Sequence, residues 1–498
     1  MLLALLVALA SAPGALAQER AGSEASSTPF APFSELRPPA VSELVPVGSI
    51  GANRVTNLHA EGDSLWVGPL LSLTTDGGES WQRAGADSLG RERGRVFSID
   101  AEGPIVWAGL GYEKEAAGQE GPVATANGFV QSRNGGAEWT YRAPPLDARG
   151  DSTERYGGQT LRALPVVVPE QSPPFDVDVH RETGTVWTAG WASGFRRSDD
   201  GGESWRRLVV PPDTLERLHP DSTYSFEVGP QRSADQAANN YLGFSVLVDE
   251  VGTVWAGSAA GLNQSPGGAF EDPDRLVWHR HTPSNTGGGL PGNWIIAIEE
   301  QPKPDRRNPV WVAAWQTGRG EEFGLAVTED GGERFETRLL GEKINDLAFR
   351  GDTVFAAGDD GLYLSPNGGE TWQVQRSFAG PNGRLPLRRD LNVFSVATTN
   401  EAVWAGTSEG LLRSADGGRT WRVFRSEVPL NPETPTRDVP RVEAYAYPNP
   451  FSTRSHGLLR IRYDLAERRE VAIRIFDFSM GLVRTLLDRR LPSGTHEV

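Results

Sequence analysis

The sequence predicts an all-β protein: seven copies of one four-stranded unit closed into a ring, followed by a small, incomplete β-sandwich. Two observations carry the ring. An octet in which a hydroxyl residue is followed two places on by Asp or Asn, then by Gly-Gly and, after two further residues, by an aromatic occurs six times, at 74–81, 132–139, 198–205, 328–335, 365–372 and 414–421. A second element, Val-Trp-Ala-Gly or a near copy, occurs seven times, centred on Trp66, Trp107, Trp187, Trp255, Trp311, Phe355 and Trp404. The counts agree once the fourth unit is aligned, because 262–268 matches 362–369 after loss of one Asn. Seven such units, with 58 Gly and 36 Pro to make many short turns, give a seven-bladed β-propeller.

The octet reads as a hairpin turn. Its Asp or Asn (Asp76, Asn134, Asp200, Asp330, Asn367 and Asp416) can bond the backbone that follows, and the Gly pair supplies positive φ without steric cost. The closing Trp is large and flat enough to wedge between neighbouring sheets, so the acidic groups of the octets are expected to be structural. Ahead of each octet lie an alternating apolar stretch (96–99, 244–248 and 393–396 among them), the Val-Trp-Ala element and a strand entering the turn; a fourth strand leaves it. With these strands lettered A to D, the A–B and C–D turns share one rim. The D–A connections and B–C turns form the other, the mouth, where function is expected.

Residues 1–17 are almost wholly apolar and end Ala15-Leu16-Ala17, as a secretory signal does, but start without Lys or Arg, so the true initiator is expected upstream. Residues 18–40, rich in Ser, Ala, Pro and Glu, are expected to be disordered. The ring is placed at 41–426, a Pro-rich linker at 427–442 and a second domain at 443–498. No other stretch is apolar for long enough to span a bilayer. With no Cys, the chain has neither disulfides nor thiol chemistry and relies on packed sheets. A formal charge of -16 disfavours nucleic acid as a partner. No cofactor is implied, and a monomer is expected.

The octet resembles the BNR repeat, or Asp-box, of sialidases, sortilin-type receptors, xyloglucan-cleaving hydrolases and photosystem assembly-factor propellers. In the tail, Tyr447-Pro448-Asn449-Pro450-Phe451, Ile461-Arg462-Tyr463-Asp464-Leu465, and Ile475-Phe476-Asp477 followed by Val483-Arg484-Thr485-Leu486 resemble the C-terminal sorting domain of type IX secretion, an Ig-like fold related to that of flagellar hook-capping proteins. That resemblance implies an exported or surface-bound bacterial protein that meets the type IX secretion machinery. The family's domain continues past the equivalent of Gly494-Thr495-His496, so the tail reads as truncated. Among the Asp-box families, an exo-sialidase implies a Phe-Arg-Ile-Pro element and usually six blades, which this sequence does not match. A xyloglucanase-like hydrolase implies two carboxylates facing across a cleft, for which Asp346 and Asp390 are candidates. An assembly factor similar to the photosystem propellers matches in blade count, whereas the sorting tail argues against a photosynthetic role.

Of 15 Trp, six belong to strand B, five close octets, and Trp278 stands in for the one missing after the decayed octet. Trp191, Trp294 and Trp315 remain, and all three map to the mouth. Exposed there, they would stack on sugar rings or a peptide segment; the alternative is that each caps the core at the end of its strand. Long connections at 140–174, 206–242 and 111–127 are expected on the same face, either as plain surface loops or as part of the site, with Tyr112, Tyr156 and Tyr224 as further ligand contacts in the second case. Arg388 and Arg389, with Arg384, Arg93 and Arg95, would give the mouth a positive rim unless they are salt-bridged. His279 and His281 share one strand face, but no third ligand accompanies them, so no metal site is predicted. The expected function is non-catalytic binding of a glycan or an extracellular protein, with a glycoside hydrolase or an assembly factor as alternatives.

Overall fold

The computed structural model describes residues 44–84, 95–115, 121–230, 238–380, 383–385, 387, 391–426, 444–447, 459–476 and 482–498. The segments read as signal, leader and linker lie outside these residues, as do Arg93, Arg388, Arg389 and Asp390. Helix among the described residues is confined to two 3-10 turns, Asn239–Tyr241 and Gly268–Phe270, and none is long and apolar enough to cross a membrane.

Seven antiparallel sheets follow one another along the chain, each an A–B–C–D meander. Their inner strands are Leu58–Glu61, Arg95–Glu102, Pro174–Val179, Gly243–Val248, Trp294–Glu300, Ile344–Arg350 and Val393–Thr398. Each inner strand touches the next and the last touches the first, so the sheets close into a seven-bladed β-propeller. Strand B is buried along its whole length in, for example, Val254–Ser258 and Val403–Thr407. Neighbouring blades cover both of its faces, which is why its sequence is a continuous apolar run rather than an alternation.

The octets share one geometry. At 414–421 the Ser414 hydroxyl donates to Asp416 Oδ1 (2.8 Å) and accepts the Gly418 N–H (2.8 Å), while Asp416 Oδ1 accepts the Thr420 N–H (2.8 Å). Asn134 and Asn367 make the same bonds through their amide oxygens, so the turn needs an oxygen acceptor rather than a charge. The Thr420 hydroxyl and N–H hold the Asp416 carboxyl down to about 2.

Four of the octet aromatics pack on the strand-B aromatic of the preceding blade. Trp139 meets Trp66 with centroids 5.8 Å apart, Trp205 meets Trp107 at 6.3 Å and Trp372 meets Trp311 at 6.5 Å, all near edge-on. The pair Trp81 and Trp404, at 6.4 Å, joins the first blade to the last. Among the described residues no strand is shared across this closure: Leu44–Val47 extends blade 1 beyond Trp81–Ala84 instead of completing blade 7. The Val55 N–H donating to the Thr407 carbonyl (3.0 Å), the Ser426 N–H donating to Asn53 Oδ1 (2.7 Å) and the Arg422–Glu79 ion pair (2.8 Å) supplement the aromatic contact.

The long connections depart from expectation. Those at 140–174 and 206–242 build the mouth only in part: residues 169–171 and Tyr241 bond to the blade-2 hairpin and the turn bearing Trp191, whereas residues 153–163, 217–218 and 227–228 cover the outer flank of blades 3 and 4. Thr153–Tyr156, Gln159–Ala163 and Glu227–Val228 form a separate three-stranded sheet, and Arg217–Leu218 adds a fifth strand outside Trp278–His281 of blade 4. The cause is a charge demand. Arg196 and Arg207, on the outer strands of blade 3, are buried and find their counter-ion in Asp147 of the connection, at 2.6 and 2.5 Å. Of residues 111–127, those at 111–115 and 122–127 belong to the strands Ile105–Glu115 and Pro122–Ser132, which pair as a long hairpin.

In the tail, Ala444–Tyr447, Arg460–Leu465 and Gly494–Glu497 share a sheet, and Arg469–Phe476 pairs with Leu482–Leu491.

Candidate functional site

At the mouth end of strand A, six blades carry a β-bulge whose extra residue is Phe97, Phe175, Phe244, Ile296, Asn345 or Phe394. Four of these six are Phe, and three of them link up. Centroid separations of 6.2 Å (Phe97–Phe175), 6.1 Å (Phe175–Phe244) and 5.5 Å (Phe244–Trp294) trace a continuous aromatic arc across blades 2 to 5. Trp191, in the B–C turn of blade 3, lies 5.2 Å from Phe244 and 6.3 Å from Trp294. Phe97, Phe175, Trp191 and Trp294 are half-buried, whereas Phe244 is buried beneath the two Trp rings.

The three Trp residues singled out from the sequence therefore divide. Trp191 and Trp294 belong to the arc, and among the described residues their indole N–H groups have no hydrogen-bond partner. Trp315 is only 6% exposed: its N–H donates to the Ile344 carbonyl at 2.7 Å, and the Lys343 ammonium covers its ring at 4.2 Å. It caps the core, as the alternative reading allowed. Tyr156 and Tyr224 are also removed from the mouth. Tyr156 is fully buried and donates to the Leu276 carbonyl (2.8 Å), while Tyr224 packs on it at 6.1 Å under the flank sheet.

Tyr112 is half-buried in the tall hairpin of blade 2, opposite Thr125. The hairpin needs Gly111 beside it, because a Cβ there would lie 2.7 Å from the Phe97 ring. Backbone bonds tie this wall to the arc. The Ala126 N–H donates to the Pro169 carbonyl, the Gln171 N–H to Ala124 and the Ala192 N–H to Gln171, each at 2.8 Å, so the turn bearing Trp191 is fixed rather than free. Across the mouth the Arg54 guanidinium lies 4.3 Å over Phe394, and Arg95 is paired with Glu113 at 3.5 Å. The described part of the expected positive rim is thus partly neutralised.

Below the arc the inner strands turn Asp100, Asp176, Asp178, Glu299 and Asp346 toward a common shaft, close enough to affect one another's charge. Three of these clamp adjacent blades together: Asp100 Oδ2 accepts the Val179 N–H (2.7 Å), Asp176 Oδ2 the Val246 N–H (2.9 Å) and Asp346 Oδ2 the Val396 N–H (2.9 Å). Burial pushes Asp176 and Asp346 up to about 7 against these bonds, and it drives Asp178 and Glu299 well above the usual carboxylate range with help from neighbouring carboxylates. Asp346, weighed from the sequence as a catalytic carboxylate, is thus engaged in holding blade 6 to blade 7.

The bulge ring escaped the sequence reading although a signal was present. Phe97-Ser98-Ile99, Phe175-Asp176-Val177, Phe244-Ser245-Val246 and Phe394-Ser395-Val396 repeat Phe at the start of strand A. Among the described residues no group of three or more His, Asp or Glu side chains is placed to hold a metal.

The chain matches no family profile and no curated protein. Solved structures to which it is similar include YCF48 from Cyanidioschyzon merolae, at 18% identity over 75% of this chain and 98% of that one, with a TM-score of 0.42. The GH74 xyloglucanase from Xanthomonas campestris aligns at 14% identity over 77% of this chain and 56% of that one, with a TM-score of 0.45. PorZ, a surface component of the type IX secretion system of Porphyromonas gingivalis, aligns at 13% identity over 89% and 60%, with a TM-score of 0.43. These three proteins differ in what they do, so the reading of this chain rests on its own residues.

Proposed function

We propose that the protein binds a glycan at its mouth without cleaving it, and that it is exported by its N-terminal segment and sorted through its tail. The observation that carries the binding reading is the pair Trp191 and Trp294: half-exposed, 6.3 Å apart, with free indole N–H groups and a turn fixed by backbone bonds. Flat aromatic faces stack on sugar rings with little entropic cost, and the free N–H groups suit hydroxyl acceptors. Non-catalytic binding is favoured because Asp100, Asp176 and Asp346 are engaged with backbone N–H groups of the next blade. Export and sorting rest on the apolar 1–17 segment and on the tail motifs.

The test is the full chain presented with a panel of polysaccharides, scored for binding and for release of reducing ends. Binding that falls at least tenfold in Trp191→Ala and Trp294→Ala, with no release, supports the reading. Release of reducing ends that a single carboxylate change abolishes would replace it with a glycoside hydrolase; binding unchanged in both Trp variants removes the platform.

A further inference from the structure

A cleft of about 950 Å³ opens on the outer flank between blades 4 and 5, away from the mouth. At this cleft the blade-5 octet differs from those at 132–139, 198–205 and 365–372. Where Trp139, Trp205 and Trp372 fill the gap to the preceding blade, the blade-5 octet ends in the smaller Phe335, and its Gly332 faces Gln264 rather than a Trp edge. The volume is that of a small-ligand site.

One wall of the cleft is lined by basic residue types. The added strand places Arg217 directly across from His279, and His281 lies two residues further along the same strand, so all three side chains share a face. His281 is fixed by Gln264 Oε1 at 2.9 Å and by packing on Phe335 at 5.0 Å. Arg334 comes from the opposite wall. Among the described residues neither Arg217 nor Arg334 has a carboxylate partner. The acids of the lining are held elsewhere or stand exposed. Asp330 accepts the Thr328 hydroxyl and the Arg334 N–H within its octet, Glu336 pairs with Arg338 at 2.7 Å, and Glu216 and Glu333 are exposed. Burial, His279 and Arg217 push His281 down to about 4, and no acid offsets them.

We propose that this cleft binds the anionic group, carboxylate, sulfate or phosphate, of a small polar ligand. An anion beside Arg217 and Arg334 gains charge-assisted hydrogen bonds, and His279, which burial and Arg217 keep toward its neutral form, offers a ring N–H. The site is independent of the mouth.

The test uses the full chain titrated with inorganic sulfate, inorganic phosphate and galacturonate, with ionic strength held constant by chloride. Binding is read from the thermal midpoint and the histidine Hε1 resonances. Saturable shifts in both readouts are expected, with affinity falling about tenfold in Arg217→Gln, the scale of one charge-assisted bond. Arg334→Gln is expected to weaken binding as well, and Trp191→Ala to leave it unchanged. A response to the inorganic ions alone assigns a free or ester oxyanion, and a response to galacturonate a sugar acid. No response beyond chloride, or responses in Arg217→Gln and Arg334→Gln equal to those of the parent, would overturn the proposal. Arg217 is exposed on an edge strand, so its variant folds.

Discussion

Gly136 shows how tightly a single residue of the octet is constrained. Its φ is +92°, and a Cβ there would lie 2.6 Å from the edge of Trp66 in the preceding blade. Gly135 beside it also has positive φ but faces open space. Gly136→Ala is therefore expected to cost about 2–4 kcal/mol, from backbone strain plus overpacking, whereas Gly135→Asn should cost about 1 kcal/mol or less. Urea denaturation of the two variants checks the contrast; equal losses would mean that Trp66 yields freely. At this scale the octet residues were legible because their bonds close within eight positions. Trp315 was not. It holds the same place in its unit as Trp191, and only the Ile344 carbonyl, supplied by the next blade, distinguishes a core cap from a platform.

Among the elements, the connections at 140–174 and 206–242 follow the sequence reading only in part. Their length pointed to the mouth, yet much of them lies on the flank, beside a buried ion network. Asp147, 6% exposed at its side chain, pairs with both Arg196 (3%) and Arg207 (1%), residues 49 and 60 positions away, and Glu154 supplies the second negative charge at 3.2 Å from Arg207. No local pattern announces such a pairing. Asp147→Ala leaves two guanidinium groups buried without their main counter-ion and is expected to destabilise the fold by about 3–5 kcal/mol. It should also loosen the flank sheet, which limited proteolysis within 143–173 would report. If the cleavage rate there is unchanged, the network is not what anchors the connection. Strand A carries the opposite lesson. Its repeated Phe was visible in the sequence, but its meaning depended on a bulge, which a strand reveals only against its partner.

The ring as a whole concentrates acid in its shaft, and this governs its response to pH. Asp176 and Asp346 titrate near about 7 in the folded chain, against about 3.9 for an unfolded Asp. Between those values the folded state holds more protons than the unfolded one, so this contribution to stability is full below about pH 4 and is lost as pH rises through 7. The octet carboxylates act in the other direction, but outside this window. Asp200 and Asp416 are held near about 2, so their stabilisation is complete above the unfolded pKa and lost only as pH falls toward 2. The melting midpoint at constant ionic strength is expected to fall between pH 5 and pH 8. Asp346→Asn keeps an acceptor for the Val396 N–H while removing the charge, so it should flatten that fall and raise the midpoint at pH 8. A parent midpoint that climbs to pH 8 would contradict the shaft assignment.

The number of blades, their strand order and the fixed turns between them were already present in the linear chain. Each octet satisfies its own backbone within eight residues, and Trp81, Trp139, Trp205 and Trp372 each pack on the neighbouring copy of the same unit. The functional surfaces were not written in this way. The arc takes Phe97, Phe175, Phe244 and Trp294 from strand A of blades 2 to 5 and Trp191 from a turn of blade 3, the flank cleft sets Arg217 of an added strand beside His279, and Tyr156 meets its acceptor 120 residues away. Contacts between distant segments form only when neighbouring blades and their connections pack together, because packing is what brings their side chains within reach of one another.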